Sequence, residues 1–186
     1  MLHFSVARKY IPGPSLCVDE QLVEFHGRVS FRQYIPSKPG KFGIKIFWLV
    51  DQENSFPLKC LVYIGAETLS DEEKNISHSI GEAVVMKLAD GWLNSGRNIT
   101  ADNWFTTTQL ADRLLTKQTF VGSMRRNNRS IPPAAKAIAR RRKKDSVHYY
   151  FRGKALCSFR NKKRFRLSCS LPCTHLQFIV NTTNPK

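Results

Sequence analysis

The chain has 186 residues, of which 41% are hydrophobic and 11% aromatic, and this composition predicts a folded domain rather than a disordered tail. Its 30 Lys and Arg against 14 Asp and Glu give a formal net charge of +16. Residues 1–116 carry 12 basic and 13 acidic side chains, whereas residues 117–186 carry 18 basic side chains and one acidic, Asp145. A block this basic predicts a polyanionic partner, most often nucleic acid, and a solvated tail is the alternative.

Apolar runs and cysteines in the sequence indicate the cellular compartment of the protein. No run of about 18 apolar residues occurs, so no membrane-spanning segment is predicted. The N-terminus lacks the long apolar stretch that is typical of a signal peptide. The five cysteines, an odd number at wide spacing, predict free thiols in a reducing compartment, the cytoplasm or the nucleus.

The first half of the chain is predicted to form mainly strands. Residues 15–19 predict a short apolar strand that follows a Pro-Gly-Pro turn signal. Residues 43–50 and 58–64 are rich in β-branched and aromatic side chains and predict an antiparallel hairpin with a long loop. The acidic, polar residues 68–79 predict a loop that leads into a helix.

Helices then alternate with strands. Apolar residues at helical spacing predict a helix over residues 80–88 and a second helix over residues 108–115, which follows a threonine cap. Residues 97–105 predict a short strand with a turn at Asp102, and residues 119–124 predict another strand. A meander of strands followed by alternating helices and strands predicts an α/β fold with a mixed sheet flanked by helices.

The pattern is weaker after residue 127. Residues 134–144 favour a helix, and residues 147–151 and 154–159 predict a hairpin around Gly153. From about residue 165 onward the sequence is irregular and predicts no regular element.

Two aspartates have settings that suit metal binding. Asp19 closes the strand predicted over residues 15–19, and Asp102 lies at the end of the strand predicted over residues 97–105. A carboxylate at the edge of a buried strand combines a rigid backbone with oxygens that reach solvent, as a hard cation requires. Phosphoryl transfer with two metal ions needs several such carboxylates. From spacing alone, a turn or helix-cap role is the commoner explanation for each aspartate.

The sequences around both aspartates carry a more specific pattern. Around Asp19 the chain reads VDEQL, then FHGR, FRQYIPSKP and KFGIK, and around Asp102 it reads RNITADNWFT. A VGS segment at residues 121–123 and an RRN segment at residues 125–127 follow. This series closely resembles the piggyBac transposase family, whose pattern runs VDEQL–F-GR–FR-YIP-KP-K-GIK and then NI–DN-FT. The resemblance covers roughly residues 10–160.

The resemblance implies an RNase H-like catalytic domain in which a triad of aspartates binds divalent metal, Mg²⁺ or Mn²⁺. Such a domain cuts DNA and joins its 3′-hydroxyl end to target DNA. By position, Asp19 resembles the first aspartate of the triad and Asp102 the second, with Asn103 and Trp104 packed around the second. The implied partners are double-stranded transposon ends and target DNA, the implied location is the nucleus, and a homodimer is left open.

The chain departs from the family pattern in its second half. The third aspartate of the family lies in a GGVD–D motif, which this sequence lacks, since Asp145 is the sole acidic residue after Asp112. We therefore expect an N-terminal lead-in over residues 1–14 and an incomplete RNase H-like domain over residues 15–127, with little or no strand-transfer activity. The ending over residues 165–186 is interpreted as foreign to the family, the result of a frameshift or a premature stop.

Basic residues in the segment over residues 128–164, and just before it, are candidates for contacts with DNA phosphates. They are Arg125, Arg126, Arg129, Arg140, Arg141, Arg142, Lys143 and Lys144. A nuclear-import signal or a charged solvated helix is the alternative for the run over residues 140–144. Cys169, Cys173 and His175 make a weak zinc motif, because a structural zinc site needs four ligands.

Two alternatives to a transposase remnant stay open at this point. One is a domesticated DNA- or chromatin-binding protein that keeps the fold without the chemistry. The other is a basic RNA-binding protein, although the sequence contains no aromatic stacking motif of the usual kind.

Overall fold

The computed structural model describes residues 10–77, 79–124, 128, 131, 133, 146–151, 155–160 and 165–170. These residues form nine strands of one sheet, three α-helices and a short 3₁₀ turn at Gly65–Thr68. The strands are β1 (Ser15–Glu24), β2 (Gln33–Tyr34), β3 (Phe42–Asp51), β4 (Pro57–Val62), β5 (Asn98–Ala101), β6 (Thr119–Met124), β7 (Ser146–Phe151), β8 (Ala155–Arg160) and β9 (Phe165–Ser170). The helices are α1 (Asp71–Ile76), α2 (Ile80–Ala89) and α3 (Thr108–Leu115).

The sheet is mixed, as predicted. Its strands follow the order β2, β3, β1, β5, β6, β9, β8, β7, and β4 pairs with β3 beside β2. β5 is parallel to both of its neighbours, β1 and β6, whereas the other described pairs are antiparallel. The parallel pairs arise because helices connect β4 to β5 and β5 to β6, and such crossovers return the chain in the same direction. No helix in the described part of the chain is long and apolar enough to cross a membrane.

One face of the sheet carries the hydrophobic core. Alternate residues of the central strands are fully buried and belong to one cluster with apolar residues of α2 and α3, which pack on the sheet. The strand residues are Leu16, Val18, Phe47, Leu49, Ile99 and Phe120, and the helix residues are Val84, Leu88, Leu110 and Leu114. Each fully buried side chain of this size contributes about 1.5–3 kcal/mol to folding.

The helices predicted over residues 80–88 and 108–115 are confirmed, and their caps explain where they begin. The hydroxyl of Ser79 accepts a hydrogen bond from the backbone N–H of Glu82 at the start of α2, at 3.1 Å. The hydroxyl of Thr107 accepts one from the N–H of Leu110 at the start of α3, at 3.0 Å. The N-terminus of α2 lies so close to the chain at residues 104–105 that a Cβ on Gly81 would come within 2.8 Å of the carbonyl oxygen of Trp104.

The prediction of a loop over residues 68–79 is wrong in part, because α1 lies within it. This helix is held at its start by a capping box, in which the hydroxyl of Ser70 accepts from the N–H of Glu73 and the Glu73 carboxylate accepts from the N–H of Ser70. None of its residues is buried, so it has no apolar stripe from which a helix could be predicted.

The prediction of irregular structure from residue 165 onward is wrong over β9. This strand pairs with β6 along one edge and with β8 along the other, so backbone hydrogen bonds on both sides hold it. Its sequence alternates apolar and polar residues, from Phe165 to Ser170, which is the period of a strand. The predicted hairpin before it is confirmed by β7 and β8, with Phe151 opposite Ala155. The helix predicted over residues 134–144 lies outside the described residues.

Asp51, the last residue of β3, is buried and holds the segment that leads into β1. Its carboxylate accepts hydrogen bonds from the hydroxyl of Tyr10 at 2.7 Å and from the backbone N–H of Gly13 at 3.0 Å. The hydrogen bond from Gly13 is the main cause of the lowered pKa of Asp51, and the bond from Tyr10 lowers it further. The guanidinium of Arg97, next to β5, donates to the carbonyl oxygens of Pro12 and Gly13 at 3.0 Å. This segment therefore connects the starts of β1 and β5 to the end of β3.

We expect Asp51→Asn to destabilise the chain by about 1–3 kcal/mol, because the amide replaces one of the two accepting oxygens with an NH₂ group that faces hydrogen-bond donors. The thermal midpoint at pH 7 should fall by about 3–10 °C, measured by circular dichroism. Because the folded-state pKa of Asp51 is lowered, its stabilisation is present above the ordinary aspartate pKa and is lost as the pH falls through the folded value. The difference in thermal midpoint between Asp51→Asn and wild type should therefore become smaller in acid. Glu53→Gln, an exposed neighbour, is the control, and equal losses in both variants would contradict the prediction.

Candidate metal site at the parallel strands

The parallel pairing of β1 with β5 brings the two candidate aspartates together. The paired residues run from Ser15 opposite Asn98 to Val18 opposite Ala101. Asp19 follows Val18 within β1 and Asp102 follows Ala101 at the end of β5, so the two aspartates come directly after the last pair of this register. Two residues distant in sequence therefore become neighbours at the edge where β5 ends.

The side chain of Asp19 lies on the sheet face that is opposite to the helical core. Val18 is buried in the core, so its neighbours in β1, Cys17 and Asp19, belong to the other face. Burial raises the pKa of the Cys17 thiol, and the negative charges of Asp19 and Asp102 raise it further.

The environment of Asp19 disfavours its negative charge. Although the residue is exposed as a whole, neighbouring atoms remove part of the water around its carboxyl group, and this is the main cause of its raised pKa. The charges of Glu20 and Asp102 raise the pKa further, whereas the N–H of Glu20, at 2.8 Å from Oδ1, and the ammonium of Lys38 oppose the shift. A cation bound between the aspartates would relieve this repulsion.

Asp102 is held in place by the turn that follows β5. Its Oδ1 accepts a hydrogen bond from the backbone N–H of Trp104 at 2.8 Å. Its carbonyl oxygen accepts two bonds from the buried Thr106, from the hydroxyl at 2.7 Å and from the backbone N–H at 3.1 Å. The carboxylate is therefore oriented before any ligand arrives, as a metal ligand needs to be.

A lysine that the sequence reasoning did not single out lies at the same edge. The ammonium of Lys45 sits 4.1 Å from the ring centroid of Trp104 and 4.7 Å from that of Phe47. Burial lowers the pKa of Lys45, while the charges of Glu20 and Asp102 raise it. Lys45 could have been found from the sequence, because it is a lysine within the apolar run that forms β3. A lysine at such a position usually has a partner for its charge, such as an aromatic ring.

One detail of the sequence prediction is wrong: Asp19 does not close its strand. β1 continues to Glu24, because β3 pairs with it along its whole length, from Leu16 opposite Asp51 to Glu24 opposite Gly43. The parallel partner β5 ends earlier, at Ala101. Asp19 therefore lies at the point where β1 loses one of its two neighbours, which leaves its side chain accessible.

The described residues supply two carboxylates to this site. Their hard oxygen atoms suit Mg²⁺ or Mn²⁺. In the described ranges no group of three or more His, Cys, Asp or Glu could hold a metal ion. The site is thus a partial one, and the roles of Asp19 and Asp102 stay predictions.

The other candidate residues cannot be placed. The predicted phosphate contacts, Arg125, Arg126, Arg129 and the run over residues 140–144, lie outside the described residues. The same holds for Cys173 and His175 of the weak zinc motif.

Comparison with known proteins identifies the class. A family model described as "Transposase IS4" matches residues 2–184, so the chain belongs to this family of transposases, which generally use divalent metal. Within it the chain is of the piggyBac type. A piggyBac transposase solved by cryo-EM as a synaptic complex with hairpin DNA is 36% identical in sequence, matches with a TM-score of 0.81 and covers 91% of this chain.

The match confirms the predicted family and the predicted RNase H-like mixed sheet flanked by helices, as found in the piggyBac catalytic domain. This chain covers 35% of the piggyBac transposase chain, so it spans about a third of that protein's length. The family match extends to residue 184 and therefore includes the segment of β9.

We expect Asp19→Asn to raise the thermal midpoint slightly at pH 7 in the absence of divalent metal. Because the folded-state pKa of Asp19 is raised, the protonated form favours folding; this stabilisation is present below the unfolded-state pKa and is lost as the pH rises through the folded value. Removing the charge of Asp19 therefore stabilises the folded chain at neutral pH. The difference in thermal midpoint between Asp19→Asn and wild type should vanish in acid. Differential scanning calorimetry across the pH range measures it.

Asp71→Asn is the control, since Asp71 favours the N-terminus of α1 and its loss should not stabilise the chain. A wild-type chain more stable than Asp19→Asn at pH 7 without metal would contradict the prediction.

Proposed function

We propose that the chain is part of a piggyBac-type DNA transposase catalytic domain that binds DNA at the edge carrying Asp19 and Asp102. The supporting observation is the register of β1 against β5, which sets both aspartates at adjacent positions. The piggyBac transposase that the chain resembles was solved with hairpin DNA, which makes DNA the expected partner. We also propose a nuclear location, because DNA is there and the run over residues 140–144 is basic.

Asp19 and Asp102 would hold the divalent ion, Mg²⁺ or Mn²⁺. When bound, such an ion offsets the negative charge that develops on a phosphate during transfer. The protein's own contribution is orientation: the N–H of Trp104 fixes one oxygen of Asp102, and the rigid pairing of β1 fixes the backbone of Asp19. Lys38 adds positive charge near Asp19, and Lys45 adds it near Asp102.

We propose further that these 186 residues bind DNA without cutting it. Their sequence has no GGVD–D motif, and the described residues bring only two carboxylates together. Losing one ligand of a two-metal site lowers the rate by orders of magnitude. The alternative, a domesticated DNA- or chromatin-binding protein, is favoured by the same observation and differs in that metal would have no role.

A first test concerns metal. We expect the wild-type chain to bind Mn²⁺ weakly, and we expect Asp19→Asn and Asp102→Asn each to abolish binding, because each removes one of two carboxylate ligands. Electron paramagnetic resonance of free Mn²⁺ measures the bound fraction. Asp71→Asn, which removes an exposed carboxylate of α1, should bind like wild type. Binding that both site variants retain would show that the aspartates are not ligands.

A second test concerns DNA. We expect the chain to bind duplex DNA with an affinity that falls steeply between about 50 and 200 mM salt, because basic side chains release counterions from phosphates. Fluorescence anisotropy measures the affinity, and a gel assay with Mg²⁺ should detect no nicking. Nicking that Asp19→Asn and Asp102→Asn abolish would show that the chemistry survives. Stronger binding to RNA than to DNA would favour the RNA-binding alternative.

A further inference from the structure

The strands β1 and β3 continue past the end of β5 as a two-stranded arm. Beside β3, β4 accompanies the arm as far as Ile46, which lies opposite Val62, and β2 pairs with its tip through Gln33 opposite Gly43 and Tyr34 opposite Phe42. Residues 25–45, which form its tip and one of its strands, contain five Lys and Arg and no Asp or Glu. This cationic segment lies in the half of the chain whose net charge is close to zero.

Three of the five cations are exposed and form no ion pair within the described part of the chain. Lys38 forms an ion pair with Glu20 at 3.2 Å, and Lys45 packs on aromatic rings. Arg28, Arg32 and Lys41 are exposed, and no described carboxylate lies within 4.0 Å of their charged groups. Positive charge that no neighbouring carboxylate neutralises is a feature of surfaces that contact phosphates.

Two aromatic rings stand among these cations. The rings of Tyr34 and Phe42 lie 4.6 Å apart between centroids, and their residues are 57% and 42% exposed. The guanidinium of Arg32 lies 5.2 Å from the centre of the Phe42 ring and is held there by bonds to the carbonyl oxygens of His26 and Gly27. The three side chains, Arg32, Tyr34 and Phe42, form what we call the aromatic platform.

The aromatic platform lies on the same sheet face as the candidate metal site. Trp48 is directly opposite Asp19, and Phe42 is six residues from Trp48 along β3, so the two side chains share a face. Six residues of strand span about 20 Å. A DNA strand with one phosphate at Asp19 therefore reaches the aromatic platform within a few nucleotides.

We propose that the aromatic platform stacks on an unpaired base of the DNA that the chain binds, while Arg28 and Lys41 contact its phosphates. The proposal rests on the DNA binding proposed above. Exposed rings beside cations match a single-stranded segment, because every base has a face for stacking and every nucleotide has a phosphate. A fully paired duplex offers the phosphates alone, since its bases are stacked on each other. We therefore expect the chain to prefer DNA that contains an unpaired segment.

The experiment compares two DNA duplexes that differ only in a short unpaired bulge, which contains the fluorescent base 2-aminopurine. Affinity is measured by anisotropy without divalent metal, and stacking by quenching of the 2-aminopurine emission. We expect the wild-type chain to prefer the bulged duplex and to quench its emission. Tyr34→Ala and Phe42→Ala should each weaken binding to the bulged duplex by about 5- to 150-fold and leave binding to the paired duplex unchanged.

Two control variants separate stacking from other effects. Tyr34→Phe keeps the ring and removes the hydroxyl, and it should bind like wild type. Ile76→Ala removes an exposed apolar side chain on α1, distant from the arm in sequence, and should also bind like wild type. Circular dichroism verifies that each variant is folded, which is expected because both platform rings are exposed.

The outcomes distinguish this proposal from the one it rests on. If the wild type binds DNA but shows no preference for the bulge, or if the preference survives both alanine substitutions, the aromatic platform is not a base-stacking site and DNA binding stands. If the wild type binds neither duplex, the proposed function and the aromatic platform are both wrong. Loss of the preference in Tyr34→Phe would assign it to a hydroxyl contact and overturn stacking.

Discussion

The candidate site depends on the parallel register between β1 and β5. That register is fixed on the other face of the sheet, where Leu16 and Val18 pack beside Ile99 and Ala101 in the core. A slip of one residue would turn Ile99 toward solvent, at a loss of about 1.5–3 kcal/mol for that side chain alone. The hydrophobic core therefore sets the separation of two carboxylates that it does not touch.

The same sheet has two unequal ends. At the end of the sheet where β1 and β5 start and β3 finishes, hydrogen bonds of Asp51 and Arg97 hold the lead-in segment against β3 and β5. At the other end, β5 stops at Ala101 while β1 and β3 continue as the arm. Gly43 permits this extension, because a side chain there would collide with the backbone carbonyl of Val23. The aspartates lie where the rigid part of the sheet meets the arm, so they are both well fixed and accessible.

How much of this could be predicted from sequence depends on the range of the interactions involved. The helices α2 and α3 and the strands of the core were predictable, because their apolar periods are local. Asp19 and Asp102 could be singled out from the motifs around them. Their adjacency could not be derived from periodicity, since it depends on which strand lies beside β1, and that is decided by contacts between distant segments. The extent of β1 beyond Asp19 was missed for the same reason, as its partner there is β3.

The missed elements follow a different rule. α1 is stabilised by its own cap and buries nothing, so it shows no apolar stripe. β9 has the alternation of a strand over only six residues, and its position in the sheet depends on pairing with β6 and β8. The net charge of the first 116 residues also concealed a local feature. The net charge over residues 1–116 is near zero, yet residues 25–45 contain five cations and no acidic residue. The acidic residues that balance them lie elsewhere in the sequence. Because screening limits charge interactions to about 10 Å, the local excess on the arm decides what a DNA strand meets near Asp19, and the average over the segment does not.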